Sequence, residues 1–292
     1  MRPALLTALL PLALAACAQP ADEPMPPAAT PEATQPAATP AQQSANAGAA
    51  FESVLAGDWR TPEFTERDRY RNPGQTLAFF GLQPNHTVVE ITPGGGWYAE
   101  ILAPYVRDEG RYVAAVVDPE ALPEDRRGYP SRSLASLQAL FQANPARFDR
   151  AEVVRYDPAA PNFGEPGSAD MVLTFRNVHN WLGSGQAEGM FAGFFEVLRP
   201  GGVLGVVDHR AADGMAEYDD SGYVGQDRMI ALAEAAGFQV DARSGVNPRD
   251  TKDHPNGVWT LPPTNNHEDA DAERYAEIGE SDRMTLRFVK PE

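Results

Sequence analysis

The chain has 292 residues and a formal net charge of −17, from 24 lysines and arginines against 41 aspartates and glutamates. This charge argues against nucleic-acid binding and against a polybasic membrane-binding surface, because both need positive charge that faces phosphate. The single cysteine excludes a disulfide framework and a cysteine-based zinc or iron–sulfur centre.

The first 17 residues predict an export signal, in which Arg2 precedes an apolar run too short for a stable transmembrane helix. The run ends at Leu14-Ala15-Ala16-Cys17, which resembles the bacterial lipobox, whose cysteine is acylated and becomes the new N-terminus. We therefore interpret residues 1–17 as a lipoprotein signal and Cys17 as the lipidation site. The expected location is the periplasmic face of a bacterial membrane, the outer in preference to the inner. A cleaved signal peptide that leaves a soluble periplasmic protein is the alternative.

Residues 18–50 are mainly Ala, Pro, Gln and Thr, with almost no large apolar side chain. Such a segment buries too little surface to offset its ordering entropy, so it predicts a disordered linker. The remaining 51–292 has the length of one large domain. Within it, residues 246–281 are rich in Pro, Asn and Asp and are interpreted as an insertion before the last strand. The membrane would then contact the protein only through its N-terminal lipid.

The predicted domain begins with helices and continues with alternating strands and helices. Thr61-Pro62-Glu63 predicts a helix start, with the Thr61 hydroxyl as the cap. Pro104 should end or kink the helix that follows the first strand. The predicted strands are residues 87–91, 111–117, 152–156, 171–175, 203–207, 238–243 and 284–289. This alternation predicts a parallel sheet with helices on both faces and a ligand beyond the carboxyl ends of its strands.

A glycine loop follows the first predicted strand. Residues Gly94-Gly95-Gly96-Trp97-Tyr98-Ala99 fit the pattern G-x-G-x-x-A at the start of a helix. Glycines let the backbone turn tightly and approach a ligand, and the helix N–H groups face that ligand. Asp118 ends the second strand at the distance where an acid often binds a ribose. The pattern predicts a nucleotide-like cofactor, which could be a nicotinamide dinucleotide or S-adenosylmethionine.

Glu90 distinguishes the two cofactors, because it lies within the end of the first strand, four residues before Gly94. A carboxylate at this place would repel a pyrophosphate, whereas it could contact the ammonium group of S-adenosylmethionine directly or through water. Glu90 therefore favours S-adenosylmethionine.

The order of the motifs resembles that of class I S-adenosylmethionine-dependent methyltransferases. Residues 88–96 resemble their E/D-x-G-x-G-x-G motif, and Tyr156-Asp157, residues 170–181 and residues 198–202 resemble the later motifs. More narrowly, the pattern from Phe79-Phe80-Gly81 to Glu280-Ser281-Asp282-Arg283 resembles an exported group of predicted bacterial methyltransferases. The resemblance implies an α/β, doubly wound, seven-stranded Rossmann-like sheet in the order 3-2-1-4-5-7-6, with the last strand antiparallel.

The resemblance also implies a set of cofactor-binding residues. In it, Asp118 would bind the ribose hydroxyls and Asp157 would frame the adenine, while Thr92 stands where the family has a glycine. The Tyr70-Arg71-Asn72-Pro73 segment resembles part of a lid, with a solvated helix end as the alternative. The full cofactor-binding set is Glu90, Thr92, Gly94, Gly95, Gly96, Asp118, Asp157, Arg176 and Asn177.

The catalytic candidates His179, Asp208 and His209 follow the fourth and fifth predicted strands. A general base is needed only if the acceptor is protonated at the working pH. Five histidines also suggest a metal site through His179, His209 and His254, but their spacings match no ligand motif, so we predict no metal. Trp259, in the insertion, is expected to anchor that insertion to the core, with the lining of an acceptor pocket as the alternative.

These features together predict an exported enzyme that transfers a methyl group from S-adenosylmethionine to a small-molecule acceptor. The fourth motif lacks the N/D-P-P-Y signature of nucleic-acid amino-methyltransferases, which agrees with the acidic charge. Two other functions remain open. One is an NAD(P)-dependent oxidoreductase, which a six-stranded, all-parallel sheet would favour. The other is a non-catalytic envelope binding protein on the same fold, because S-adenosylmethionine is not known to be made outside the cytoplasm.

Overall fold

The computed structural model describes residues 40–212, 220–247 and 257–292, with side chains from residue 48 onward. The predicted signal, Cys17 and residues 18–39 of the predicted linker lie outside the described residues. A compact unit extends from Pro40 to Glu292. Among the described helices, none has both the length and the apolar character needed to cross a bilayer.

The first helix, α1 (Pro40–Leu55), begins within the segment interpreted as a linker. Its alanine content suits a helix, and proline is tolerated at a helix start. Phe51 packs edge-to-face on Tyr105 with ring centroids 5.0 Å apart, and Val54 is buried. The apolar last turns of α1 therefore attach it to the domain.

Seven strands form one sheet in the order β3-β2-β1-β4-β5-β7-β6. Strands β1 to β5 pair in parallel, and β7 is antiparallel to both β5 and β6. The predicted order and the antiparallel last strand are confirmed, and the all-parallel sheet that would favour a dinucleotide enzyme is not found. The strands are β1 (Thr87–Ile91), β2 (Arg111–Val117), β3 (Glu152–Tyr156), β4 (Ala169–Phe175), β5 (Leu198–His209), β6 (Gln239–Ser244) and β7 (Arg283–Val289).

Ten further α-helices of the described residues lie before and between these strands, with apolar clusters on both faces of the sheet. They are α2 (Pro62–Thr65), α3 (Asp68–Arg71), α4 (Pro73–Phe80), α5 (Ala99–Val106), α6 (Gly128–Ala143), α7 (Pro145–Phe148), α8 (Val178–Gly183), α9 (Ala187–Val197), α10 (Gln226–Ala235) and α11 (Ala272–Ile278). Residues 246–281 lie between the last two strands of the chain, as expected for an insertion, and contain α11 and short 3-10 turns at Val258–Thr260 and Asp269–Asp271.

Helix α5 continues through Pro104 to Val106, so of the two predicted effects of this proline, an end or a kink, the early end is not found. Proline has no N–H to donate to the carbonyl of Glu100, four residues before it. The indole Nε1 of Trp59 donates to that carbonyl at 3.0 Å instead. A contact from a distant segment thus satisfies the group that proline leaves free.

Candidate functional site

A cavity of about 650 Å³ lies beyond the carboxyl ends of β1, β4 and β5. The loop after β1 contributes residues 92–95, and the end of β5 contributes His209. The segment after β4, which includes the start of α8, contributes Arg176, Asn177, His179, Asn180 and Trp181. Residues from 64–71 and from 258–264 complete its walls. Strands β1 and β4 are neighbours, and the connections that follow them lie on opposite sides of the sheet. Open α/β sheets bind ligands at the point between two such strands. The cavity thus lies where the sequence predicts a ligand, and binding there stays a prediction.

The three loop glycines have different surroundings. Gly94 and Gly95 line the cavity, and a Cβ atom on Gly95 would have Phe64 as its nearest neighbour, at 3.8 Å. Gly96 does not line the cavity: its φ is +95°, and a Cβ there would lie 2.6 Å from Leu140 and 3.1 Å from Leu137. Gly94 and Gly95 are therefore available to a ligand, whereas Gly96 allows close packing on α6.

This difference predicts opposite outcomes for two alanine substitutions. Gly96→Ala should lower the free energy of unfolding by about 2 kcal/mol, because it combines a clash with an unfavourable φ. Gly95→Ala should leave stability within about 0.5 kcal/mol but weaken cofactor binding, because its methyl group enters the cavity. Urea unfolding and calorimetry separate the two effects. Equal loss of stability in both variants would contradict this assignment.

Thr92, at the family's glycine position, adopts a left-handed conformation with φ of +52°. This conformation is unfavourable for a β-branched residue and persists where surrounding contacts enforce it. Its N–H donates to the Ala115 carbonyl at 2.8 Å, and its hydroxyl bonds the Tyr156 hydroxyl at 2.7 Å. Thr92 lines the cavity, but its hydroxyl already has a protein partner.

Glu90 lines the same cavity and is buried. The hydroxyl of Tyr112 donates to its Oε2 at 2.6 Å. Burial raises the pKa of Glu90 to about 7, against the opposing effects of the Tyr112 hydrogen bond and the Arg71 charge. The carboxyl thus changes its charge near neutral pH, and a bound cation would favour the ionised form.

The two acids expected to contact the cofactor's ribose and adenine stand at the ends of β2 and β3 but do not line the cavity. Asp118 caps a 3-10 turn by accepting the Glu120 N–H at 3.1 Å, and Asp157 accepts the Ala159 N–H at 2.8 Å. Val117, next to Asp118, does line the cavity. The two roles stay predictions.

Arg176 and Asn177 follow β4 and line the cavity. Asn177 Nδ2 donates to the carbonyl of Ile91 at 3.0 Å and to Thr174 Oγ1 at 3.2 Å, so it joins the ends of β1 and β4. Arg176 adopts a left-handed φ of +61°. Burial, with Arg283 and Arg67 nearby, lowers the pKa of Arg176 to about 10 despite the opposing charge of Glu280.

Asp208 and His179, two of the catalytic candidates, form a buried pair. Asp208 accepts the N–H groups of Val178 at 2.8 Å and His209 at 2.7 Å, and its Oδ1 lies 2.9 Å from His179 Nδ1. In the neutral imidazole, this carboxylate fixes the proton on Nδ1 and leaves a lone pair on Nε2. His179 lines the cavity, and its Nε2 has no hydrogen-bond partner among the described residues. The pair has the arrangement of an oriented general base.

His209, the third catalytic candidate, lines the cavity with its Nδ1 against Ser281 Oγ. Burial, then the charges of His179 and Arg176, hold the pKa of His209 well below its usual range. His209 is therefore uncharged at neutral pH, which suits hydrogen bonding to a ligand.

Ligand atoms of His179, Asp208 and His209 lie within 4.8 Å of one another, so these residues could hold a metal ion. The metal hypothesis had paired the two histidines with His254, which lies outside the described residues. Asp208 already accepts several N–H groups, and the positive charge of Arg176 opposes a bound cation. The donor set thus fits a proton acceptor better than a metal ion, and the absence of a metal stays a prediction.

The sequence analysis missed some residues of the site and misplaced one. Tyr112, which bonds Glu90, and Arg67, in the cavity wall, were not identified because each is defined by contacts distant in sequence. The interpretation of Trp259 as a core anchor is wrong: it is 38% exposed, lines the cavity, and its ring centroid lies 5.2 Å from that of His179. Arg71, in the segment interpreted as a lid, does line the cavity.

Comparison with known proteins finds similarity in three-dimensional structure, but no match in sequence. No protein-family model matches the chain, and no curated protein matches it. An S-adenosylmethionine-dependent methyltransferase from Aquifex aeolicus is similar in structure, with a TM-score of 0.52 and 14% identity over 83% of this chain and 98% of that one. The [4+2]-cyclase SpnF is similar with a TM-score of 0.53 and 15% identity over 85% of this chain and 94% of that one. With the observed strand order, these similarities show that the chain has the Rossmann-like fold of class I S-adenosylmethionine-dependent methyltransferases.

Proposed function

We propose that the protein transfers the methyl group of S-adenosylmethionine to a small-molecule acceptor, with His179 as the general base. The observation that carries the proposal is the Asp208–His179 pair, which presents a free Nε2 to the cavity that Glu90 and the glycine loop also line. A fold alone does not establish an activity, as a cyclase on this fold illustrates, so the proposal depends on these side chains.

The residues present fit the cofactor. Glu90 offers a buried carboxylate for an ammonium group, and Gly94 and Gly95 leave backbone accessible at the cavity surface. Apolar contact is available from Val117 and Phe175, which also line the cavity. When bound, S-adenosylmethionine supplies a methyl group on a sulfonium centre.

The protein's own residues provide positioning and proton transfer. The walls formed by residues 64–71 and 258–264 shield the cavity, and orientation of the acceptor can supply much of the rate. His179 Nε2 accepts the proton that a hydroxyl or ammonium acceptor must lose, and Asp208 stabilises the resulting imidazolium. His209 and Asn180 line the same region and can orient the acceptor by hydrogen bonds.

Calorimetry on the purified protein with S-adenosylmethionine, S-adenosylhomocysteine and NAD(P)H tests the cofactor. We expect binding of the first two and none of the third, followed by transfer of a labelled methyl group to a member of a small-molecule panel. Binding of NAD(P)H alone would select the oxidoreductase. Binding without turnover across the panel would favour the non-catalytic binding protein.

We also propose that the protein is exported and that a lipid on Cys17 anchors it to a membrane. The apolar run, the lipobox-like sequence and the Ala- and Pro-rich segment from residue 18 follow one another in the order signal, anchor and spacer. Two or more acyl chains hold a protein firmly at a bilayer, which one chain does not. The outer membrane, facing the periplasm, is the proposed location.

Cys17→Ser should move the protein from the membrane fraction to the soluble periplasmic fraction, because it removes the only thiol that can carry the lipid. Cell fractionation with immunoblotting measures the change. Ser44→Ala, in the helical segment after the spacer, is the control and should stay with the membrane. A Cys17→Ser protein that remains membrane-bound would contradict lipid anchoring at this residue.

A further inference from the structure

Arginines gather at one side of the cavity around Glu280. Nε of Arg67 lies 2.6 Å and Nε of Arg71 lies 3.4 Å from the Glu280 carboxylate, and Arg283 lies 2.9 Å from it. Arg176 lowers the pKa of Glu280 together with these three and so belongs to the same group, which we name the arginine cluster. Glu280 is the centre on which the cluster is built.

The positive charge of the arginine cluster exceeds the negative charge around it. Three guanidinium groups contact Glu280 and the charge of Arg176 also acts on it, while Asp208 and the half-titrating Glu90 are acids that act on these arginines. Burial, then repulsion from Arg176, holds the pKa of Arg71 well below its usual range despite the opposing charge of Glu280. This local excess stands in a chain whose net charge is −17, so the overall composition does not account for it.

Two guanidinium groups of the cluster are incompletely bonded. The Nη2 atoms of Arg67 and Arg71 are buried and have no hydrogen-bond partner among the described residues. Arg176 forms no ion pair within the part of the chain that the structure describes. Because buried donors without acceptors are costly, such groups at a cavity wall indicate a ligand that completes them.

The cluster is also held in place before any ligand arrives. The guanidinium of Arg71 lies over the Trp97 ring at 4.5 Å, and Glu280 fixes Arg67 and Arg71 through their Nε atoms. Planar forks with free N–H groups match carboxylate and phosphate oxygens. Both the free donors and the excess positive charge therefore favour an anionic ligand.

We propose that the acceptor carries an anionic group, a carboxylate or a phosphate, that Arg67, Arg71 and Arg176 bind; this inference rests on the proposed methyl transfer. S-adenosylmethionine has an ammonium, a sulfonium and one carboxylate, so its arrival adds net positive charge to a cavity that already has an excess. An anion on the acceptor offsets that charge. The arginine cluster also lies within electrostatic reach of His209, beside the proposed base.

The test titrates inorganic phosphate and malonate into the purified full-length protein, with and without saturating S-adenosylhomocysteine. We expect both anions to bind the loaded protein, and Arg67→Gln and Arg176→Gln to weaken this binding at least about 10-fold. Arg199→Gln is the matched control, because Arg199 is half-exposed at the start of β5, pairs with Asp170, and should leave anion binding unchanged. Melting temperatures verify that each variant is folded, and Arg176→Gln removes no ion pair between described residues.

The remaining outcomes separate this inference from the proposed function. If S-adenosylhomocysteine displaces the anions, the arginines bind the cofactor's own carboxylate, and the inference is overturned while methyl transfer stands. If neither anion binds, or Arg199→Gln weakens binding as much as the cavity variants, the inference is also overturned. If anions bind through Arg67 and Arg176 but S-adenosylhomocysteine does not bind, the anion site is supported and methyl transfer is contradicted.

Discussion

Glu90→Gln is expected to abolish measurable binding of S-adenosylmethionine and to remove a pH dependence of stability. Losing a buried partner of an ammonium group costs about 2–5 kcal/mol, which is roughly 30- to 5,000-fold in affinity. Calorimetry at pH 8, where the Glu90 carboxyl is mainly ionised, measures the loss. An affinity within threefold of the parent's would show that Glu90 does not bind the cofactor.

The stability effect has a definite sign. The pKa of Glu90 is about 7 in the folded protein against 4.5 as its ordinary value, so the folded state holds an additional proton between these pH values. The contribution of Glu90 to the free energy of unfolding is therefore greatest below about pH 4.5. It falls by about 3 kcal/mol as the pH rises through 7. Urea unfolding from pH 5 to 8 should show this decrease in the parent and its absence in Glu90→Gln.

Tyr112→Phe provides the matched control. It keeps the carboxylate but removes the hydrogen bond that stabilises the ionised form, so the pKa of Glu90 should rise further. Cofactor binding should weaken at pH 7 and recover at higher pH, whereas Glu90→Gln should not recover. A Tyr112→Phe profile that matches the parent's would mean that ionisation of Glu90 does not control binding.

Asp208→Asn should lower kcat for methyl transfer by about 100- to 10,000-fold while leaving cofactor affinity nearly unchanged, since Asp208 lies behind His179 rather than at the cavity surface. The amide can no longer accept all of the N–H groups that the carboxylate accepts from Val178, His179 and His209. We therefore also expect a loss of stability of about 3 kcal/mol. Turnover with the acceptor identified from the panel and urea unfolding measure the two effects.

His179→Gln separates the catalytic effect from the structural one. It removes the Nε2 lone pair but keeps the Asp208 carboxylate and its backbone N–H partners. The loss in kcat should be similar to that of Asp208→Asn, with a smaller loss of stability, and the double variant should be no slower than the slower single variant. Additive losses in kcat would show that the two residues do not act as one unit.

The fold was predictable from the sequence to a large extent because its strands are short apolar runs in a recognisable order. The bounds of β1, β2 and β3 match the predicted 87–91, 111–117 and 152–156. The predicted 203–207 was too short, since β5 extends from Leu198 to His209. Proline and two glycines at residues 200–202 suggest a turn, yet they lie within β5. Gly201 donates to the Lys290 carbonyl and Gly202 accepts the Lys290 N–H, each at 2.9 Å.

Contacts between distant segments were not predictable from local patterns. Thr61 begins a helix as expected, but its hydroxyl donates to buried Glu100 at 2.5 Å rather than capping that helix. In the site, the candidates at the ends of β1, β4 and β5 were brought together because these strand ends converge, whereas Asp118 and Asp157 do not line the cavity. The arginine cluster was missed because its members belong to segments that lie far apart in the sequence.

The pairing of Arg67 with Glu280 has a consequence for the order of folding, because 213 positions separate the two residues. Closing so long a loop is slow, and β7 must also enter the sheet between β5 and β6 before β6 can be held. A chain that emerges with its N-terminus first therefore contains the glycine loop and the Asp208–His179 pair long before it contains the arginine cluster around Glu280. Ligand retention and the completion of the sheet are thus one event, which occurs only after Glu280 and β7 have emerged.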